Sequence, residues 1–204
     1  MLTTDLQAFV RASLPEPPLR ILEVGAGAGE LAAALRGAGY DVTAIDPAAD
    51  EGSDVEPLAL LDVRGAFDAA VAVVSLHHVE PLEQSCEHLA TLVPAGAPLV
   101  VDEIDADRYD ERAAEWWLAQ RRARGSPHDD PDAAGMVRGL REHVHALDAV
   151  RAALAPWFEL SEPVRVAYLH RWYLASSLRD PELELIAEGR LPAVGARFVA
   201  VRKS

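Results

Sequence analysis

One cysteine, Cys86, is all that the 204 residues contain. A lone thiol closes no intrachain disulfide and points to a reducing compartment. Basic residues are scarce as well. Lys and Arg number 19 against 33 Asp and Glu, for a formal net charge of -14. A surface of that sign repels phosphate backbones, which argues against nucleic acid as a substrate. The one basic cluster, RRAR at residues 121–124, is followed by DDPD at residues 129–132 and reads as a solvated helix end. Long hydrophobic runs are missing too, so no segment is expected to span a bilayer. Asp5 precedes any apolar run, unlike a signal peptide. The expectation is a soluble, cytoplasmic protein without nucleic-acid or membrane partners.

What is present is alternation. A short helix is expected over Thr4–Ser13, capped by Thr3 or Thr4 and stopped by PEPP at residues 15–18. RILEV, YDVTAID, FDAAVAVVSL and LVVDE read as apolar strands. A weaker strand is expected at residues 55–58. GELAAALRGAG and EPLEQSCEHLATLV read as helices, the second with Pro81 in its first turn. Helices are further expected at residues 111–122 and 136–155, and strands in FELSEPVRVAYLH and ARFVAVR. Alternating strands and helices predict an α/β fold with a mostly parallel sheet and helices on both faces. Ligands of such sheets bind where the strands end. Residues 25–29, Asp46, residues 75–78 and the Asp102, Glu103 pair all fall at strand ends and should meet at one crevice.

The stretch RILEVGAGAGELAAAL places Gly25, Gly27 and Gly29 between a strand and a helix, with Glu23 before and Glu30 after them. A dinucleotide fingerprint would need glycine where Glu30 stands. No Lys or Arg occurs from residue 21 to 35, so a pyrophosphate would meet two carboxylates and no cation. An adenosine carrying a positive centre and no phosphate suits this turn. S-adenosylmethionine has that chemistry. Asp46 ends the second strand at a spacing that suits two ribose hydroxyls.

LEVGAGAGEL, VTAID, FDAAVAVVSLHHV and LVPAGAPLVVDE together resemble the successive motifs of class I S-adenosylmethionine-dependent methyltransferases that act on small molecules. The resemblance runs from about residue 19 to 103, and LIAEGRLPAVGARFVAVR is similar to the last-strand region of that family. It implies a seven-stranded Rossmann-like sheet with an antiparallel last strand and a helical substrate-side insertion after strand five. The chain would be one domain: an N-terminal helix (1–18), a cofactor half (19–103) and a substrate side (104–204). Glu23, Gly25, Gly27 and Gly29, with Ala26 between them, would hold the methionine end. Asp46 with Pro47 would hold the ribose. Glu56 or Asp62 would meet the adenine amino group, Glu56 being favoured with Leu58 on the ring, and Ser75 and Leu76 would complete the set. PAGAP stands where the family usually has Pro-Gly-Gly.

His77, His78 and His145 are the candidate catalytic residues. The first two follow the strand beside which the methyl group should sit. His143 and His145, two apart, would point to different faces of a helix. Neither HVH nor HDD has metal-ligand spacing, so no metal is expected. Cys86 is expected as inert packing. Trp116, Trp117, Trp157, Tyr168, Trp172 and Tyr173 cluster late in the chain and suggest an apolar acceptor pocket. RGSPHDDPDAAG, residues 124–135, is expected to be a lid or a solvated connector. Two rivals to small-molecule methyl transfer stand: a nicotinamide-dependent oxidoreductase, and a protein or cyclase that keeps the cofactor without transferring methyl.

Overall fold

RILEV forms β1 (Arg20–Val24), and its last four residues are buried. A computed structural model describes residues 2–125 and 132–204. The centre of the expected lid, residues 126–131, therefore lies outside the described residues. Parallel to β1 run β2 (Asp41–Ile45) on one side and β3 (Ala69–Val73) on the other, with β4 (Pro98–Ile104) beyond β3. Next comes β7 (Gly195–Arg202), antiparallel to β4. Two short strands, β5 (Phe158–Leu160) and β6 (Val164–Val166), share the far edge of β7 and are antiparallel to it. The sheet thus has seven strands, and β7 alone runs against the rest.

The chain leaves β1 to one side for β2 and then crosses to the other side for β3. A crevice opens at such a switch point, beyond the carboxyl ends of the strands. The glycine turn after β1 sits there.

Two helical layers cover the sheet, as buried parallel strands require. On one face, Leu6 and Val10 of α1 (Thr4–Ser13) and Leu31 and Leu35 of α2 (Glu30–Gly37) pack on Ile21, Val71 and Val100. On the other, α3 (Leu82–Leu92) and α6 (Leu147–Leu154) pack on Leu22, Ala70, Leu99 and Val101. Cys86 lies in that second layer, where burial pushes its thiol up to about 12. A third cluster caps the strand ends: Ile104, Tyr109, Trp117 and Leu169. It is built by α4 (Glu111–Ala123), the 3-10 turn Leu169–Arg171 and the flank of α5 (Ala133–His143).

Three expectations need correction. The strand expected at residues 55–58 is a single bridge between Ile45 and Glu56. Pro57 follows with no N–H to extend a ladder. The helix expected over 136–155 is two helices, α5 and α6. Val144 is extended between them, and the His145 N–H donates to the His77 carbonyl at 2.9 Å instead of closing a helical turn. A further helix, α7 (Arg179–Ala187), was not expected at all.

Candidate active site: the glycine turn and its cleft

All three glycines of the turn have positive φ: +69° at Gly25, +53° at Gly27 and +76° at Gly29. Each needs glycine for a different local reason. A Cβ on Gly25 would stand 2.3 Å from the Ser75 Cβ, and one on Gly29 would stand 2.9 Å from Val55 Cγ2. A Cβ on Gly27 would meet nothing within 4 Å. The space beside Gly27 is open cleft. Asp46 fixes the turn from the end of β2, where Oδ2 accepts the Gly27 N–H and Oδ1 the Ala48 N–H, both at 2.9 Å.

The cleft above this turn holds about 860 Å³, a size suited to a cofactor with a small partner. One wall is Glu23, the turn from Gly25 to Ala28, and Asp46. Leu2 and Leu6 close it from the N-terminal side, where the Leu2 N–H donates to Glu30 Oε2 at 3.0 Å. The opposite wall comes from α5 (Met136, Leu140, His143) and from the segment holding Tyr168, Arg171 and Trp172. The floor is the end of β3, with Val73, Val74, His77 and His78.

Glu23 is 3% exposed, and its Oε2 is buried without a partner. Burial raises its carboxyl to about 7, with Arg36 opposing the shift. A carboxylate held this way on a cleft wall suits a cationic donor group. His78 is held below the ordinary imidazole value by burial and then by the neighbouring His77.

At the floor the chain passes through Val74, a β-branched residue at φ +54°. Its N–H donates to the Asp102 carbonyl at 2.7 Å. The kink turns the next two N–H groups, of Ser75 and Leu76, onto Glu103 Oε1 at 2.9 and 2.6 Å. The other oxygen, Oε2, lies 2.5 Å from His77 Nδ1. Asp102, the neighbour of Glu103 on β4, turns the other way. It accepts from Arg171 Nη1 at 2.7 Å and from Arg197 Nε at 2.6 Å.

Glu23, Gly25, Ala26, Gly27, Asp46, His77 and His78 thus meet on one cleft. Seven other expected residues do not line it. Gly29 backs the turn against Val55. Pro47 is exposed on the turn after Asp46. Ser75 and Leu76 are buried beneath the floor and act through their backbones. Glu56 bridges β2 through its backbone with its side chain exposed, and Leu58 packs against the core on the α3 face. His145 is also corrected: its Nε2 lies 3.2 Å from the Val79 carbonyl and 3.0 Å from Glu80 Oε1, behind His77. Leu2, Leu6, Met136 and Arg171 went unnoticed as cleft residues. Leu6 lies on the buried face of α1, and nothing local in the sequence aims it at the cleft.

A sequence model of the methyltransferase domain family matches residues 3–135. A curated relative from Staphylococcus carnosus (strain TM300), described as an uncharacterized methyltransferase, is 30% identical over 115 residues, which cover 50% of this chain and 56% of that protein. The chain therefore spans about half the length of the curated relative it matches. Among solved structures, an S-adenosylmethionine-dependent methyltransferase from Mesorhizobium loti superposes with a TM-score of 0.61 at 19% identity over 98% of both chains. The Burkholderia thailandensis 1,6-didemethyltoxoflavin-N1-methyltransferase, solved with that compound and S-adenosylhomocysteine bound, superposes with a TM-score of 0.57 at 16% identity, over 98% of this chain and 77% of that one. At such identities the superpositions speak for the fold, and the family match speaks for kinship. The chain belongs to the methyltransferase domain family, on the Rossmann-like fold of the class I S-adenosylmethionine-dependent methyltransferases.

Proposed function

We propose that the protein transfers the methyl group of S-adenosylmethionine to an O, N or C nucleophile of a small-molecule acceptor by in-line displacement. The observation that carries this reading is the unpartnered Glu23 Oε2 on the wall of a cleft whose glycine turn has no basic residue. A phosphate would be repelled there, whereas an ammonium or sulfonium group supplies the missing partner. The open position beside Gly27 fits close approach of the same ligand. When bound, this cofactor supplies an already activated methyl carbon, so the chain's work is alignment and exclusion of water. Glu23 holds the cationic end and Asp46 the ribose, each Asp46 oxygen keeping a free lone pair beyond its backbone bond. Met136, Leu140, Tyr168 and Trp172 offer an apolar, aromatic seat for the acceptor. The Burkholderia thailandensis neighbour, which holds a small molecule together with S-adenosylhomocysteine, supports an acceptor of that size.

Thermal shift tests the cofactor, since a ligand that binds only the native state raises the melting point. S-adenosylmethionine and S-adenosylhomocysteine should raise it and NAD or NADP should not. A larger shift with NAD would reinstate the oxidoreductase. A panel of acceptors with labelled cofactor, read by mass, separates methyl transfer from cofactor binding without transfer. No labelled product from any acceptor would favour the cyclase-like reading.

Glu23 gives the binding a pH dependence. Burial pushes its carboxyl up to about 7, against 4.5 ordinarily, so between those values the native state holds a proton that a cationic ligand must displace. Affinity for S-adenosylhomocysteine should be about tenfold lower at pH 6 than at pH 7.5. Calorimetry in buffers of different ionisation enthalpy should register the released proton. Glu23→Gln should bind weakly and lose both effects, and an unchanged pH profile in that variant would remove Glu23 from the site.

Asp46→Ala should weaken the same ligand by 10- to 100-fold, roughly 1.5–3 kcal/mol, the scale of bonds to a charged group. Because Asp46 also holds Gly27 and Ala48, part of that loss will come from a looser turn. Titration calorimetry on Asp46→Ala and Asp46→Asn measures it. Parent-like affinity in both variants would free Asp46 of the role.

A further inference from the structure

Glu103 is 1% exposed and fully committed. Two backbone N–H groups, from Ser75 and Leu76, can only donate, and both donate to Oε1. That fixes the carboxylate and leaves Oε2 for His77 Nδ1. An ionised carboxylate only accepts hydrogen bonds, so the Nδ1 of His77 must carry the proton. The lone pair of the neutral imidazole is then on Nε2. This nitrogen has no protein partner among the described residues and is not sealed in the interior, and His77 lines the cleft floor. The ring is steadied from its side by His78, centroid to centroid 4.1 Å. A carboxylate that holds an imidazole in one tautomer and orientation makes a general base of its far nitrogen.

We propose that His77 Nε2 takes a proton from the acceptor, with Glu103 as its positioning residue, and that the acceptor therefore carries hydrogen on the atom to be methylated, as a hydroxyl or an N–H. The proposal rests on the methyltransferase reading of the cleft and narrows its substrate class. The bond from the acceptor oxygen or nitrogen to the methyl carbon forms as the carbon–sulfur bond breaks, its electron pair remaining on sulfur. The acceptor proton passes to Nε2, giving an imidazolium whose Nδ1–H stays on Glu103. Solvent removes the extra proton when the product leaves.

Glu103→Gln is the decisive variant. A glutamine keeps an oxygen for the Ser75 and Leu76 N–H groups, so the floor stays folded. Its NH₂ then faces Nδ1 as a donor, which forces the ring proton onto Nε2 and removes the base. Binding of S-adenosylhomocysteine, followed by calorimetry, should change less than threefold. Nitrogen-15 spectra of the histidines in that complex at pH 8, with the His77 signal assigned by its loss in His77→Gln, should show the Nδ1–H tautomer in the parent and Nε2–H in Glu103→Gln. Transfer of a deuterated methyl group to a panel of phenols and of primary and secondary amines should fall at least 100-fold in Glu103→Gln. An Nε2–H tautomer or a persistent imidazolium at His77 in the parent overturns the proposal, whether or not any acceptor in the panel reacts. Transfer by Glu103→Gln within threefold of the parent overturns it as well. Failure of S-adenosylhomocysteine to bind the parent is a separate result, which would strike the cofactor reading instead.

Discussion

Gly27→Val will give a folded protein that no longer binds S-adenosylhomocysteine, while Gly25→Val will not fold. The two residues are two positions apart in one turn, and both have positive φ. A side chain at either costs about 1–2 kcal/mol for the left-handed backbone alone. At Gly27 that is nearly the whole structural cost, because a Cβ there meets no protein atom within 4 Å. It enters the cleft, in the space where the proposed reading brings the cofactor against the backbone. At Gly25 the added carbon would overlap Ser75 Cβ at 2.3 Å. Ser75 has no freedom to retreat, since its N–H is tied to the buried Glu103. Circular dichroism melts and calorimetric titration read the two outcomes. Ligand binding by Gly27→Val within threefold of the parent would show that the cofactor does not approach that backbone.

Removal of the Asp102 carboxylate should be the most damaging single change away from the turn. Asp102 is 1% exposed and is shared by Arg171 and Arg197, themselves 8% and 7% exposed. Breaking a buried ion pair by deleting one partner costs about 3–5 kcal/mol, because the remaining charge stays buried and uncompensated. Arg197 keeps a second carboxylate, Asp5, at 3.1 Å. Arg171 keeps none among the described residues, and its Nε is already buried without a partner. Asp102→Ala should therefore loosen the 3-10 turn Leu169–Arg171 first, and with it the Tyr168 and Trp172 side of the cleft. In a chain of this length the melting point should fall by about 10 °C. Asp102→Asn, which keeps one acceptor, should lose less. A melting point within two degrees of the parent in Asp102→Ala would mean that both arginines find other partners.

The parts of this molecule governed by local chemistry were legible in the sequence. The first helix runs over Thr4–Ser13 with the Thr3 side chain accepting the Leu6 N–H, and RILEV is β1 to the residue. The glycine turn, Asp46 and His77 were legible because strand ends of an alternating α/β chain converge whatever their separation in sequence. Long-range pairings decided what was missed. The break after His143 depends on a carbonyl of residue 77, which no helix periodicity reveals. Helix α7 is pinned by Glu182, whose carboxylate accepts three N–H groups from Tyr168, Leu169 and His170 and also meets His170 Nδ1. In the sequence that glutamate resembles any solvated one. Glu103 was placed at the crevice, yet its pairing with His77 spans 26 positions and required the sheet register to appear.

Val74 bends the chain from β3 into the cleft floor with a backbone that branched side chains avoid, a local penalty of about 1–3 kcal/mol. On the mechanism proposed for His77, durability and catalysis compete at that residue. A scaffold tuned for heat resistance would relax it first, and the relaxed chain would no longer point Ser75 and Leu76 at Glu103. The imidazole beyond would then drift between tautomers. Hardening this protein is therefore better begun on the solvent face of α3, on the side of the sheet away from the turn.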